Sequence, residues 1–184
     1  MIATGTRRCT VEDYRRLPAD DWRYQLIDGE IVLSPSPSFF HQRILMNIIE
    51  LLAPYVKKKN LGTVMFAPLD FYLDDHNVYQ PDIFFVSRAR EKIIEEDGLH
   101  GAPDFVVEVL SPHNARYDLT SKRAGYARSG VEELWLIAPK AKTIDVFRLQ
   151  VSAERAAASY SLGENFQSAV FPNLDVSVDG IFAR

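Results

Sequence analysis

One apolar strand with an acid in its middle constrains this chain more than any other stretch. Residues 104–110 read DFVVEVL, a short β-branched run that is typical of a strand buried on both faces. Glu108 lies inside that run, and burying a carboxylate is costly unless another group pairs with it. The stretch therefore predicts a central strand with a partner for Glu108 nearby.

A helix with a lysine on its inward face is predicted next. Asn114 is a good N-cap residue, and Gly130 is placed to end a helix that runs to about Ser129. Lys122 falls on the core-facing side of that helix, although lysine is rarely buried without a partner. A buried acid followed by an inward lysine breaks a local rule twice, which is expected at functional sites. The predicted stripe comprises Ala115, Leu119, Lys122 and Tyr126.

Length and composition indicate one domain over residues 1–184, with 47% hydrophobic and 25% charged residues. Cys9 is the single cysteine, so an intrachain disulfide is excluded. No run of about 18 apolar residues is present, and no signal-peptide pattern opens the sequence, so we expect a soluble, cytoplasmic protein. The net charge of −4 excludes a broadly basic surface for nucleic acid, and any phosphate contact must come from a local patch.

The order of elements predicts an α/β fold of the α+β kind, with a central mixed β-sheet flanked by helices. Two strand-like runs meet at Asp28-Gly29, a strong hairpin signal. Ser38 caps a long helix that runs to roughly Lys59 and packs on a sheet. Strands follow over 62–86, then a surface helix ends at Gly98, and a strand pair follows the lysine helix. Residues 152–162 fit either a strand or a helix.

Three charged side chains form the candidate catalytic set: Asp82, Glu108 and Lys122. Asp82 directly follows a proline, which marks the start or edge of a strand. Two carboxylates on neighbouring strands suit Mg²⁺, with Mn²⁺ as a substitute, and a lysine would offset developing negative charge. The alternative is that Asp82 caps a turn while Glu108 and Lys122 form a buried structural ion pair.

Several motifs resemble a known family in the same order. They are YQLIDGEIVLSPSPSFFHQR, YQPDIFFVSR, GAPDFVVEVLSP and KRAGYARSGVEELWLIAP. Over residues 20–150 they resemble the Uma-type family of putative restriction endonucleases, within the PD-(D/E)XK nuclease superfamily. The resemblance implies a restriction-endonuclease-like core with an N-terminal β-hairpin.

The resemblance assigns the superfamily acids to Asp82 and Glu108, which would bind the metal. Leu110 stands where the short motif has its lysine, so Lys122 on the next helix is the candidate for the relocated lysine. Gln25 stands where the family commonly has an acid, which argues against a metal ligand at that position.

Glu30 and His41 also belong to the shared motifs. Glu30 opens the second hairpin strand, either as an exposed charge beside a turn or as a site residue. His41 lies on the inward face of the long helix, either as a core histidine or as a group that approaches the substrate phosphate or the metal-bound water.

These observations lead to two hypotheses about function. The first is a Mg²⁺-dependent endonuclease that hydrolyses DNA and acts as a homodimer. The second is an inert nuclease scaffold that binds or regulates, which the acidic charge and the displaced lysine favour. In the first case, the basic residues nearest the motifs would contact the DNA backbone: Arg88, Arg90, Lys92, Arg116, Arg123 and Arg128.

Overall fold

The buried strand of the sequence lies in the middle of a six-stranded sheet. The computed structural model describes residues 7–18, 20, 22–111 and 115–184. The strands are β1 Arg23–Ile27, β2 Glu30–Ser34, β3 Gly62–Phe66, β4 Phe71–Asp74, β5 Asn77–Tyr79, β6 Ile83–Ser87, β7 Ile94–Glu95, β8 Gly98–His100, β9 Phe105–Val109, β10 Glu133–Ala138, β11 Thr143–Arg148, β12 Ala158–Ser161, β13 Asn165–Gln167 and β14 Asp175–Ser177.

The helices are α1 Val11–Arg15, α2 Phe39–Lys59, α3 Ala115–Tyr117, α4 Arg123–Ser129 and α5 Val178–Ile181, with a 3-10 helix over Arg88–Ile93 and a π-helical turn over Asp118–Lys122. The π-helical turn joins α3 to α4, so that residues 115–129 form one continuous helical segment. Its predicted N-cap, Asn114, lies outside the described residues.

Two mixed sheets organise the chain. The central sheet has the order β12-β11-β10-β9-β6-β3, with β9 and β10 parallel and the other neighbours antiparallel. The hairpin sheet has the order β2-β1-β5-β4-β8-β7, with β4 and β8 parallel. Strands β13 and β14 pair separately. The predicted fold class, a mixed sheet flanked by helices, is confirmed.

Local sequence explains the first hairpin and the long helix. Asp28 and Gly29 connect β1 to β2 with φ angles of 50° and 81°, which an Asp-Gly pair accepts in a two-residue hairpin turn. Ser38 caps α2 by accepting a hydrogen bond from the amide of His41. Asn60 ends α2 in the left-handed conformation.

Side-chain alternation along β9 directs Glu108 toward the helical segment 115–129. Phe105 and Val107 pack in the layer that contains α2. Val106 packs in the layer that contains Tyr126 of α4. Because alternate residues of a strand share a face, Glu108 points to the same side as Val106.

The predicted surface helix that ends at Gly98 is wrong in its second half. The helical part is a 3-10 helix that stops at Ile93, and β7 then pairs antiparallel with β8. Leu99 of β8 is fully buried, and Gly98 has a φ of 147°. Burial of Leu99 and pairing with β4 therefore outweigh the helix preference of this segment, which is rich in arginine, lysine and glutamate.

Membrane insertion through a helix finds no support in the described residues, since none of their helices has both the length and the apolar character that crossing a bilayer needs.

Candidate active site

A cavity of about 830 Å³ lies where β1, the N-terminal end of α2, the end of β9 and the helical segment 115–129 meet. Both sheets contribute residues to its lining, and these residues are far apart in the sequence. The polar residues that line it are Arg23, Gln25, Ser36, Ser38, His41, Gln80, Asp82, Glu108, Ser111, Asp118, Lys122 and Lys140. All three residues of the predicted catalytic set are among them.

Asp82 lies where two strands of the central sheet separate. Pro81 precedes it and divides the single predicted strand run over 78–87 into β5 and β6. The ladder between β6 and β9 reaches the pair of Ile83 and Val107. Beyond that pair, Oδ2 of Asp82 accepts the amide hydrogen of Val109 at 2.8 Å. The carboxylate thus replaces a ladder carbonyl and is held at the cavity wall.

Glu108 is buried, with 3% exposure, and its partners come from the following helix. The ammonium of Lys122 forms an ion pair with Oε1, and the hydroxyl of Tyr126 donates a hydrogen bond to the same oxygen at 2.6 Å. Both contacts end at Oε1 of Glu108, and the side chain lines the cavity.

Lys122 faces inward, as the helical pattern predicts, with 2% exposure. Besides Glu108, it contacts Oδ1 of Asp118 at 3.2 Å. Asp118 is an acid of the site that the sequence pattern missed. Its only signal is the four-residue spacing to Lys122, which places an acid and a base side by side on a helix.

Leu119 is not on the buried stripe, which corrects the predicted helix face. It is 38% exposed, whereas Asp118 is 5% exposed. The reason is the π-helical turn, because its wider hydrogen bonding shifts the phase of the residues that follow. Lys122 ends that turn and Tyr126 follows it, and both side chains point inward. Ala115 precedes it, and its burial is not described.

The site holds more negative than positive charge. Burial raises the pKa of Glu108 to about 8; Lys122 opposes this rise, while the charges of Asp118 and Asp82 add to it. Burial also raises the pKa of Asp118. Burial alone would lower the pKa of Lys122, but Glu108 and Asp118 hold it above its usual value. Three carboxylates around one buried ammonium therefore favour an added positive charge.

Asp82 and Glu108 offer carboxylate oxygens in one cavity, and such oxygens are the ligands that Mg²⁺ and Mn²⁺ prefer. Asp118 lines the same cavity but does not form a compact triad with them, since among the described residues only Glu95, Asp97 and His100 bring three ligand atoms within 4.8 Å of one another. The excess negative charge is a second reason why a divalent metal fits. A dication would neutralise charge on the carboxylates, which a bound proton must otherwise neutralise.

His41 is brought to the site from the first turn of α2. Its Nε2 lies 3.3 Å from Oδ1 of Asp82, and both side chains are about one-seventh exposed. Gln25 lies in the same cavity but is fully engaged. Its amide donates to Oγ of Ser34, and its Oε1 accepts from the backbone amide of Gln80, both at 2.9 Å.

Glu30 is not brought to the site. It is exposed at the start of β2 and does not line the cavity. Its position matches the exposed charge beside a turn that the sequence also allows. The candidate set in the described cavity is therefore Asp82, Glu108, Lys122 and His41, with Asp118 added.

The basic residues expected to contact DNA lie elsewhere. None of the six lines the cavity, and three have other partners. Arg90 binds the carboxylate of Asp104, and Arg128 pairs with Asp28. The guanidinium of Arg123 lies over the ring of Phe147. The cations that do line the cavity besides Lys122 are Arg23 and Lys140, which no sequence motif marked.

A solved structure of similar fold exists. The crystal structure of a putative nuclease belonging to DUF820 from Anabaena variabilis superposes with a TM-score of 0.76 and 23% sequence identity. The match covers 94% of this chain and 97% of that chain. At this identity the likeness establishes the fold. The search of curated proteins found no match.

The family comparison covers almost the whole chain. The family model described as "Uma2: Putative restriction endonuclease" matches residues 11–179. The matched range includes both sheets and every residue of the cavity. The chain therefore belongs to the Uma2 family of putative restriction endonucleases.

Proposed function

We propose that this protein is a metal-dependent endonuclease that hydrolyses DNA phosphodiester bonds in the cavity between the two sheets. The observation that carries the proposal is the meeting of Asp82, Glu108 and Lys122 in one cavity, from a strand start, a strand interior and the following helix. Membership of the Uma2 family supports the nuclease activity and DNA as the substrate.

The carboxylates of Asp82 and Glu108 would hold Mg²⁺ or Mn²⁺, while Asp118 pairs with Lys122. When bound, the metal would polarise the phosphoryl group and make a water molecule more acidic. Asp82 is positioned for this by the amide of Val109. Glu108 is oriented by the hydroxyl of Tyr126.

Lys122 supplies the positive charge of the site. Its high pKa keeps the ammonium charged at neutral pH, so it acts as a fixed charge and does not accept a proton. A charge that is in place before the reaction stabilises the negative charge that develops on the phosphate oxygens. His41, beside Asp82, is placed to donate a hydrogen bond to a phosphate oxygen or to a water molecule.

A homodimer belongs to the same proposal. Each copy carries one such cavity, and a duplex has two strands to cut. Cleavage of both strands at one place therefore calls for two copies.

Plasmid cleavage with Mg²⁺ or Mn²⁺ tests the proposal. We expect Asp82→Asn, Glu108→Gln and Lys122→Met each to lower the rate by about 100-fold or more, the usual scale for losing an electrostatic contact to the transition state. Asp145→Asn is the matched control, because Asp145 is a strand carboxylate of the central sheet outside the cavity. Wild-type activity in all three site variants would refute the mechanism.

Unfolding in urea must accompany the Lys122→Met assay. Removing Lys122 leaves two buried carboxylates without their cation, a change that costs about 3–5 kcal/mol when they remain charged. Lys122→Arg keeps the charge and serves as a second variant. If the wild-type protein is folded but neither cleaves DNA nor binds metal in calorimetry, the result would instead favour the inert scaffold.

A further inference from the structure

Two polar groups in the cavity lack a partner. Among the described residues, the buried side-chain nitrogen and oxygen atoms without a hydrogen bond are Nε of Arg23 and Oε1 of Gln80. Both residues line the cavity that contains Asp82 and Glu108. A buried donor or acceptor without a partner is unfavourable by about 1–3 kcal/mol. Both atoms are shielded from solvent, so Arg23 and Gln80 carry hydrogen-bonding capacity that they could offer to a ligand in the cavity by turning toward it.

Arg23 also lacks a counter-ion within the described part of the chain. It lies on β1 and is half-buried, yet no described carboxylate forms an ion pair with it. The acids of the cavity are already engaged. Asp82 binds the amide of Val109, and Glu108 and Asp118 both bind Lys122. Arg23 is thus a separate positive group in the same cavity.

The surroundings of Arg23 favour an anion. The N-terminal end of α2, a helix of 21 residues, reaches the cavity through Ser38 and His41. Its first turn contains no acidic residue that would offset the positive end of the helix dipole. Lys140 lies on the cavity as an exposed cation. A phosphate group would find three sources of positive potential here.

We propose that Arg23 is a substrate-binding residue that holds a DNA phosphate next to the one that is hydrolysed. This inference rests on the proposed function. An arginine suits the task because its planar donors match the oxygens of a phosphate. Gln80 accepts a hydrogen bond from a donor of the adjacent nucleotide, such as a base amino group. Holding the neighbouring phosphate aligns the scissile bond with the carboxylates and Lys122.

Binding measured without cleavage separates this inference from the catalytic proposal. Fluorescence anisotropy with labelled single-stranded and duplex oligonucleotides, in EDTA and in Ca²⁺, gives the affinity between about 50 and 200 mM salt. We expect Arg23→Met to weaken binding about tenfold and to reduce the slope of log affinity against log salt by about 0.7–0.9, the share of one phosphate contact. Arg23→Lys should keep the slope and lose only part of the affinity.

Arg148→Met is the matched control. Arg148 is also an arginine on a strand, without an ion pair to a described acid, but it lies outside this cavity. Its substitution should leave both the affinity and the slope unchanged. In the cleavage assay, Arg23→Met should raise KM more than it lowers kcat, because the neighbouring phosphate is bound equally in the ground state and the transition state.

The outcomes separate the two proposals. Binding that depends on Arg23 without any cleavage would refute the catalytic proposal alone. Cleavage with an unchanged salt slope and KM in Arg23→Met would overturn the role of Arg23 alone. Absence of DNA binding by the wild type in both buffers would also overturn it.

Discussion

Glu108 combines a structural and a chemical constraint in one residue. It occupies an interior position of the central sheet, where an apolar side chain would be more stable. Its contacts with Lys122 and Tyr126 offset part of that cost, but burial still raises its pKa to about 8. A cation that binds beside Glu108 would therefore compete with a proton for this carboxylate.

Metal affinity should consequently depend on pH. A metal must displace the proton of Glu108 below its pKa of about 8, so we expect the affinity for Mn²⁺ to rise up to about tenfold per pH unit from pH 6 and to level off above about pH 8. Calorimetric titrations between pH 6 and pH 9, in buffers of different ionisation enthalpy, measure both the affinity and the released proton.

Two variants identify the group that releases the proton. His41→Gln should keep the pH dependence if the proton leaves Glu108. Glu108→Gln should weaken binding at all pH values and remove the proton release. An affinity that does not change between pH 6 and pH 9 in the wild type would contradict the assignment.

Single residues were predictable where they violated a local pattern. Glu108 in an apolar strand and Lys122 on an inward helix face stand out, and the structure brings them into contact. Asp118 and Arg23 did not stand out. Asp118 looks like an ordinary helix-surface acid in the sequence, and Arg23 looks like an ordinary end of a hairpin strand. Their importance depends on contacts that only the folded chain reveals: Asp118 pairs with Lys122, whereas Arg23 forms no ion pair with a described acid.

Elements were predictable when local sequence determined them. The capped helix α2 and the Asp-Gly hairpin follow from short-range rules. The π-helical turn does not, because helical periodicity assumes an even rotation for each residue. Pro81 signals a break in its strand run, but not that β5 joins the hairpin sheet while β6 joins the central sheet. That division depends on pairing with strands far along the chain.

The close contact between α4 and β5 gives a prediction for the helix that carries the lysine. A Cβ atom on Gly125 would lie 2.3 Å from the hydroxyl oxygen of Tyr79. Tyr79 is fully buried, and its hydroxyl donates to Asn77 at 2.8 Å, so it has little room to move. We expect Gly125→Ala to lower the free energy of unfolding by about 1–3 kcal/mol.

Urea unfolding of Gly125→Ala and Gly180→Ala provides the comparison. The nearest atom to a Cβ on Gly180 is 3.6 Å away, so that change should be neutral or stabilising by about 0.4–1 kcal/mol. If the two variants have equal free energies of unfolding, then α4 can move away from β5 in Gly125→Ala without a loss of stability.

At the scale of the whole molecule, the cavity joins elements that are otherwise separate. Its walls come from the hairpin sheet, the central sheet, α2 and the segment 115–129. The sequence predicts the sheet, its helices and most of the acids. It does not predict a second six-stranded sheet, because three of the strands of that sheet are only two or three residues long. The cavity could not be located from the sequence for the same reason.

A metal bound at this junction should stabilise the folded chain as a whole. At a concentration of about 100 times Kd, a ligand that binds only the native state adds about 2.7 kcal/mol. For a chain of this size each kcal/mol corresponds to about 2–4 °C in Tm, so we expect a rise of about 5–11 °C with Mn²⁺.

Thermal unfolding with and without Mn²⁺ at constant ionic strength measures this shift. The double variant Asp82→Asn and Glu108→Gln should show almost none of it, whereas Asp145→Asn should keep it. A rise of the same size in the double variant would mean that the ion binds elsewhere on the acidic surface.

The hydrogen bond from Val109 to Asp82 has a consequence for how a chain of this fold can change at position 82. The carboxylate oxygen completes the edge of the sheet, so Asp82 supports the fold in addition to the metal-binding role that we propose for it. Asparagine can still accept that hydrogen bond, but alanine leaves a backbone amide without a partner. Descendants that abandon catalysis but keep the scaffold should therefore drift toward asparagine at position 82, and an alanine there should mark a chain whose sheet has rearranged.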